Sequence, residues 1–215
     1  MEIKLQGLIP IPLGEKLLTR TSDIWNTTVS FAPQNWIKVL APSGSGKTTL
    51  INTLYKLRHD YNGTVQLDNK DLKTINGDEL ATLRQQKVSI IFQDLRLFEN
   101  LTARENIELK RVLQKPYYET AMIDEMANRL GITNILHQQA GICSYGEQQR
   151  IAIIRSLVQP FEWLLMDEPF SHLDNANRDK AVSLIEEECT KRKAGFILTD
   201  LDEDTLFDYN STYRL

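Results

Sequence analysis

Short apolar runs alternate with amphipathic stretches along most of the chain. WIKVLA precedes KTTLINTLYKL, VSIIFQ precedes ARENIELKRVL, EWLLMD precedes a long helical stretch from Asn175, and GFILT closes the series. An apolar run too short for a helix, followed by a helical period, is the mark of a βα unit, and its repetition predicts a mainly parallel sheet. The terminal STYRL reads as an edge strand.

Two regions break the alternation. The N-terminus, with Pro10 and Pro12, and the segment GTVQLDNKDL combine β-type residues with turn signals, which predicts a small antiparallel sheet. Between residues 94 and 160, LTARENIELKRVL, YETAMIDEMANRLG and YGEQQRIAIIRSLV read as successive helices with no strong strand between them, a helical lobe inserted into the sheet. No internal repeat or Gly/Ser-rich linker separates these parts, so residues 1–215 are expected to form a single α/β domain.

Composition narrows the function. With 215 residues, of which 41% are hydrophobic, the chain can bury a core of its own. A formal net charge of -4 argues against a broad nucleic-acid footprint. Cys143 and Cys189 lie far apart without metal-ligand spacing, and read as free thiols. No apolar run is long enough to cross a bilayer.

The strongest local signal is APSGSGKTT, Ala41, Pro42, Ser43, Gly44, Ser45, Gly46, Lys47, Thr48 and Thr49, placed between the strand WIKVL and an apolar helix starting at Lys47. That is the context of a P-loop (Walker A). Gly44 and Gly46 let successive amides turn inward, the helix N-terminus adds its dipole, Lys47 reaches terminal phosphates, and Thr48 is placed to ligate Mg²⁺. Ala41 stands where such loops carry their first glycine, a departure that an ordinary φ at a strand end accepts.

EWLLMDEP is an apolar strand ending in two acids, as in a Walker B motif. Asp167 is the candidate for Mg²⁺, and Glu168 for polarising the water that attacks a γ-phosphate. Either acid alone would pass for a helix cap; the pair directly after a strand does not.

With CSYGEQQRIAIIRSL upstream and FSHLD downstream, the chain resembles the nucleotide-binding subunit of an ATP-binding cassette (ABC) transporter over nearly its whole length. The resemblance implies a P-loop NTPase core with a mainly parallel sheet, a small antiparallel β lobe and an inserted helical lobe. It implies ATP and Mg²⁺ as cofactors. It gives Gln93 the role of completing the metal shell and sensing the γ-phosphate, alongside Thr48 and Asp167 as metal residues and Glu168 and Lys47 as catalytic ones. Ser144, Gly146 and Glu147 resemble the family's signature sequence, and Asp174 its D-loop aspartate. Both are implied to meet the nucleotide of a second copy of the chain, so that ATP is sandwiched in a head-to-tail homodimer. Standing alone, YGEQQR would read as an amphipathic helix with a capping serine.

Three positions depart from that pattern. Tyr145 stands for a glycine and Cys143 for a leucine in the signature. No aromatic residue precedes Trp25 to stack on a base, and Trp25 itself is expected in the core. After Thr199 the chain runs Asp200, Leu201, Asp202, Glu203, with no histidine at the switch position; His59, His137 and His172 lie elsewhere. An ionised carboxylate about 5 Å from a phosphate charge would cost about 3 kcal/mol at an effective dielectric near 20. Either Asp200 replaces the histidine or, as TDLDE suggests, the histidine is deleted, with the acids turned toward solvent or the partner subunit.

GEQQR and FQDLRLFENLTARENI look most like the branch of lipoprotein-releasing, macrolide-exporting and cell-division ATPases. That implies an integral-membrane permease partner, docked on a groove near Gln93, Leu97, Phe98 and Leu101 or leaving these as lobe core. It also implies a cytoplasmic location, peripheral on the inner membrane. Slow hydrolysis is the expected activity, with a degenerate ATP-binding switch as the rival. A P-loop kinase gives no reason for YGEQQR, MDEP and SHLD together, and the long coiled coil or tandem cassettes of soluble relatives are not in this sequence.

Overall fold

The computed structural model describes residues 1–14, 21–113 and 115–215. Among these, strands form two sheets. The larger is wholly parallel, in the order β6 (Val88–Ile91), β7 (Trp163–Asp167), β8 (Gly195–Asp200), β3 (Trp36–Leu40) and β9 (Ser211–Arg214). β6 and β7 are buried along their whole length, which is why they read as unbroken apolar runs rather than alternating ones. β9 takes the edge expected of STYRL.

The second sheet is antiparallel, in the order β2 (Thr28–Phe31), β1 (Ile3–Pro10), β4 (Tyr61–Leu67) and β5 (Lys70–Asp71). It contains the N-terminal and GTVQLDNKDL segments, as anticipated, and also TVSF, whose four-residue alternation is too short to stand out as a pattern.

Helix α1 (Lys47–Leu54) follows the P-loop, with Leu50, Ile51 and Leu54 in a core shared with β3 and the antiparallel sheet. α2 (Gly77–Gln86) buries none of its residues and is a polar helix started by a capping box between Asn76 and Glu79. Residues 94–160 hold α3 (Ala103–Val112), α4 (Ala121–Arg129) and α5 (Tyr145–Leu157). Their apolar faces share a second core with α6 (Asn175–Arg192), β7 and β8. The parallel sheet thus lies between two cores, and its strands' carboxyl ends, at Leu40, Ile91, Asp167 and Asp200, point to one rim, where open α/β sheets bind ligands.

Candidate nucleotide site at the carboxyl rim of the sheet

The loop after β3 has the curl that its sequence requires. Gly44 and Gly46 have φ of 75° and 106°, in the left-handed region that costs glycine nothing. A Cβ on Gly46 would stand 2.7 Å from Leu13 Cδ1 and 3.2 Å from Trp25 Cζ2. Ala41 is not among the residues of positive φ, so its methyl is tolerated.

A cavity of about 280 Å³ opens over this loop, lined by Leu13, Ser43, Gly44, Gly46, Lys47, Thr48, Thr49, Gln93 and Glu168. Lys47 is buried, its ammonium donating to Ala41 O at 2.9 Å and lying 3.2 Å from Glu168 Oε1. Gln93 bridges the site: its Nε2 donates to Glu168 Oε2 at 3.1 Å, and its Oε1 accepts from Thr48 Oγ1 at 3.2 Å. A larger cleft of about 510 Å³, lined by Met1, Leu67, Ile75 and Leu83 together with charged Asp68, Lys70, Asp78, Glu79 and Lys87, shares no residue with this one.

Asp167 lies behind the cavity, 2% exposed, and accepts from Thr199 Oγ1 at 2.8 Å. Burial raises its carboxyl above the usual range, while the Thr48 and Thr199 hydroxyls pull it the other way. Glu168 follows with φ of 48°, a left-handed conformation that a glutamate adopts only when its surroundings impose it. Its amide donates to Thr199 O at 3.0 Å, so β8 sets where the carboxylate stands.

Other expected residues fall outside the cavity wall. Ser45 is buried beneath the loop, donating to Pro42 O at 2.7 Å and accepting from Trp25 Nε1 at 3.3 Å. Trp25 is therefore the core residue it was expected to be. Ala41 is buried, and Pro42 faces a separate groove with Leu201 and Arg214. Ser144 and Glu147 satisfy one another as the capping box of α5, with Glu147 Oε2 accepting from Ser144 N and Oγ at 2.8 Å each. Gly146 sits in the same turn, close under His172 O. Asp174 caps α6, accepting from Asn177 N at 2.8 Å.

The exit of β8 differs from expectation. Asp200 is half-buried, accepts from Leu201 N at 2.7 Å and does not line the cavity; burial raises its carboxyl, against the pull of that amide and of Lys38. Leu201, Asp202 and Glu203 are exposed, but Asp204 turns inward, a correction to the reading that sends all these acids to solvent or a partner. It pairs with Lys38, which is 1% exposed in the middle of β3, and accepts from Tyr209 OH at 2.9 Å. The signal was present: a lone lysine inside WIKVL needs an acid to pair with, and the segment after β8 supplies it. Leu13, on the cavity wall, carried no such signal. Near Gln93, Phe98 is 61% exposed, whereas Leu97 packs against the helical core.

Comparison with known proteins agrees with the motifs. The family model described as ABC transporter matches residues 24–171. A "Macrolide export ATP-binding/permease protein MacB" of Photorhabdus laumondii is 31% identical over 191 residues, 87% of this chain and 29% of that protein. An "Uncharacterized ABC transporter ATP-binding protein YvcR" of Bacillus subtilis is 32% identical over 176 residues, 81% of this chain and 68% of that one. The fold matches "Dimeric Structure of MJ0796, a Bacterial ABC Transporter Cassette" with a TM-score of 0.76 and 24% identity, over 92% of this chain and 87% of that one. A P-loop, paired Walker B acids and a signature-like helix in the expected order, together with a family match over most of its length, show that this chain belongs to the ABC transporter family.

Proposed function

We propose that the chain binds Mg·ATP in the cavity above the P-loop and hydrolyses it slowly as the motor subunit of a membrane permease. The observation that carries this reading is the convergence of Lys47, Thr48, Gln93 and Glu168 on one cavity at the carboxyl rim of a parallel sheet. Residues 41–49 would cradle the phosphates through backbone amides and the α1 dipole. Lys47 would exchange its contact with Glu168 for the terminal phosphates. The freed carboxylate would then accept a proton from the attacking water.

The donor set suits Mg²⁺. Thr48 Oγ1 and Gln93 Oε1 are hard oxygen donors 3.2 Å apart that would hold it, with the Asp167 carboxylate behind them, and a small cation that keeps part of its water shell needs few protein ligands. Bound there, the ion would neutralise charge on the phosphates.

Residues 1–215 would act as one unit, with residues 94–160 as its helical lobe. Two copies would meet head to tail, so that Ser144, Gly146, Glu147 and Asp174 of each face the nucleotide of the other. The caps occupy the amides of Ser144, Glu147 and Asn177, so the other first-turn amides of α5 and α6 are what these turns would offer a phosphate. The relative named as an ATP-binding/permease protein supports a membrane permease as partner, with exposed Phe98 near Gln93 as its contact. Among the described residues no helix is long and apolar enough to cross a membrane; on this reading that partner would hold the chain as a peripheral cytoplasmic subunit.

A non-hydrolysing switch is the second reading, favoured by the β8 exit that brings no histidine to the cavity. Glu168→Gln in the full chain separates the two. In an ATPase, phosphate release falls at least about a hundredfold and Mg·ATP holds a sedimenting dimer. Parent protein that binds ATP without turnover, unaltered by the substitution, would establish the switch.

A further inference from the structure

Tyr145 opens α5 where the family pattern has a glycine, and 43% of it is exposed, so burial alone is a weak reason for its bulk. Its contacts are specific in direction. The hydroxyl donates to the backbone oxygen of Gln93 at 3.1 Å, and the ring meets His172 edge-on with centroids 4.3 Å apart. One side chain therefore joins the first turn of α5 to the segment after β6 and to the segment after β7.

Further contacts show that these segments pack as a unit. Arg155, 9% exposed on the same helix, donates to the carbonyls of Leu95 and Arg96. Gln149 Oε1 accepts from His172 N at 3.2 Å, and an added Cβ on Gly146 would meet His172 O at 3.1 Å. The buried end of α5 thus holds residues 95 and 96, and Tyr145 holds residue 93 from the solvent side. Gln93 is the one of these whose side chain reaches both Thr48 and Glu168.

We propose that Tyr145 is a positioning residue for Gln93: its hydroxyl fixes the backbone from which the Gln93 amide reaches the cavity, and makes the first turn of α5 follow that amide. The inference rests on the reading that Gln93 serves Mg·ATP in this cavity. A tyrosine replaces glycine here because the link needs both a ring to brace on His172 and a hydroxyl to reach Gln93 O. Phenylalanine retains the brace and loses the link.

A double-mutant cycle tests it, with Tyr145→Phe made in the parent chain and on Gln93→Ala, since a residue that acts through Gln93 loses its effect when that amide is absent. Tyr145→Phe should lower kcat about fivefold with KM within about twofold, and lower it less than about 1.5-fold further on Gln93→Ala. The same cycle is read in the Mg²⁺-dependent ATP affinity of Glu168→Gln protein, which does not depend on turnover. Equal losses in both backgrounds, or no loss in either, overturn the inference. Binding without turnover overturns only the hydrolysis reading, and the affinity cycle then decides. A parent chain that binds no ATP overturns the function on which both rest.

Discussion

The P-loop and the exit of β8 are adjacent, joined by a hydrogen bond from Ala41 N to Asp200 O at 3.1 Å and by the pairing of Leu40 with Asp200, yet they tolerate departure differently. In the P-loop the proposed working groups are backbone amides and the side chains of Lys47 and Thr48. At the other positions of the loop a changed side chain matters only where φ or space forbids it, and Ala41 meets neither obstacle. At the β8 exit the family pattern works through a side chain, and here that exit is built around another charge. Lys38, buried in β3, draws Asp204 inward and leaves Leu201 to Glu203 exposed. Backbone-built sites survive substitution, whereas sites built from side chains are remade by it.

The largest expected effect lies in the loop. Lys47→Ala removes the cation facing the phosphates and should weaken ATP binding about a hundredfold or more, measured by titration with a fluorescent ATP analogue. At the β8 exit the expected effect is on stability: Lys38→Met leaves Asp204 without its partner in a largely buried place and should cost about 3–5 kcal/mol in urea unfolding. ATP affinity should change far less there than in Lys47→Ala.

Acid should act at the exit too. Burial alone would raise the Asp204 carboxyl, but the Lys38 ion pair, the Leu206 amide and the Tyr209 hydroxyl outweigh it and hold the group below its ordinary range. A depressed carboxyl stabilises the fold above its unfolded pKa, and that contribution is lost as pH falls through the folded value. Lys38→Met should therefore flatten the acid limb of a stability-versus-pH profile. The smallest effects return to the loop. Gly44→Ala forces a methyl onto a φ of 75° and should cost about 1–2 kcal/mol, whereas Ala41→Gly should leave stability within about 1 kcal/mol.

What could be read in advance follows the same division. Parallel strands, the P-loop and the Walker B pair were legible because an unbroken apolar run, a Gly-rich turn and paired acids each have one physical use in that order. TVSF was too short for its period to register, and the polar α2 announces itself only through Asn76 and Glu79 at cap spacing. Side-chain direction was not legible. Spacing along the chain does not reveal that Glu147 folds back on Ser144, that Asp174 caps α6, or that Asp204 turns in while Glu203 reaches Arg214. Each depends on a partner brought from elsewhere by the fold.

The P-loop rim carries the proposed chemistry and the acidic exit of β8 does not. This division is tested most directly by the kcat for ATP hydrolysis of Asp200→Ala beside Glu168→Gln in one assay. Glu168→Gln should fall at least about a hundredfold while Asp200→Ala stays within about twofold of the parent. A collapse of turnover in Asp200→Ala, with Glu168→Gln still active, would contradict it.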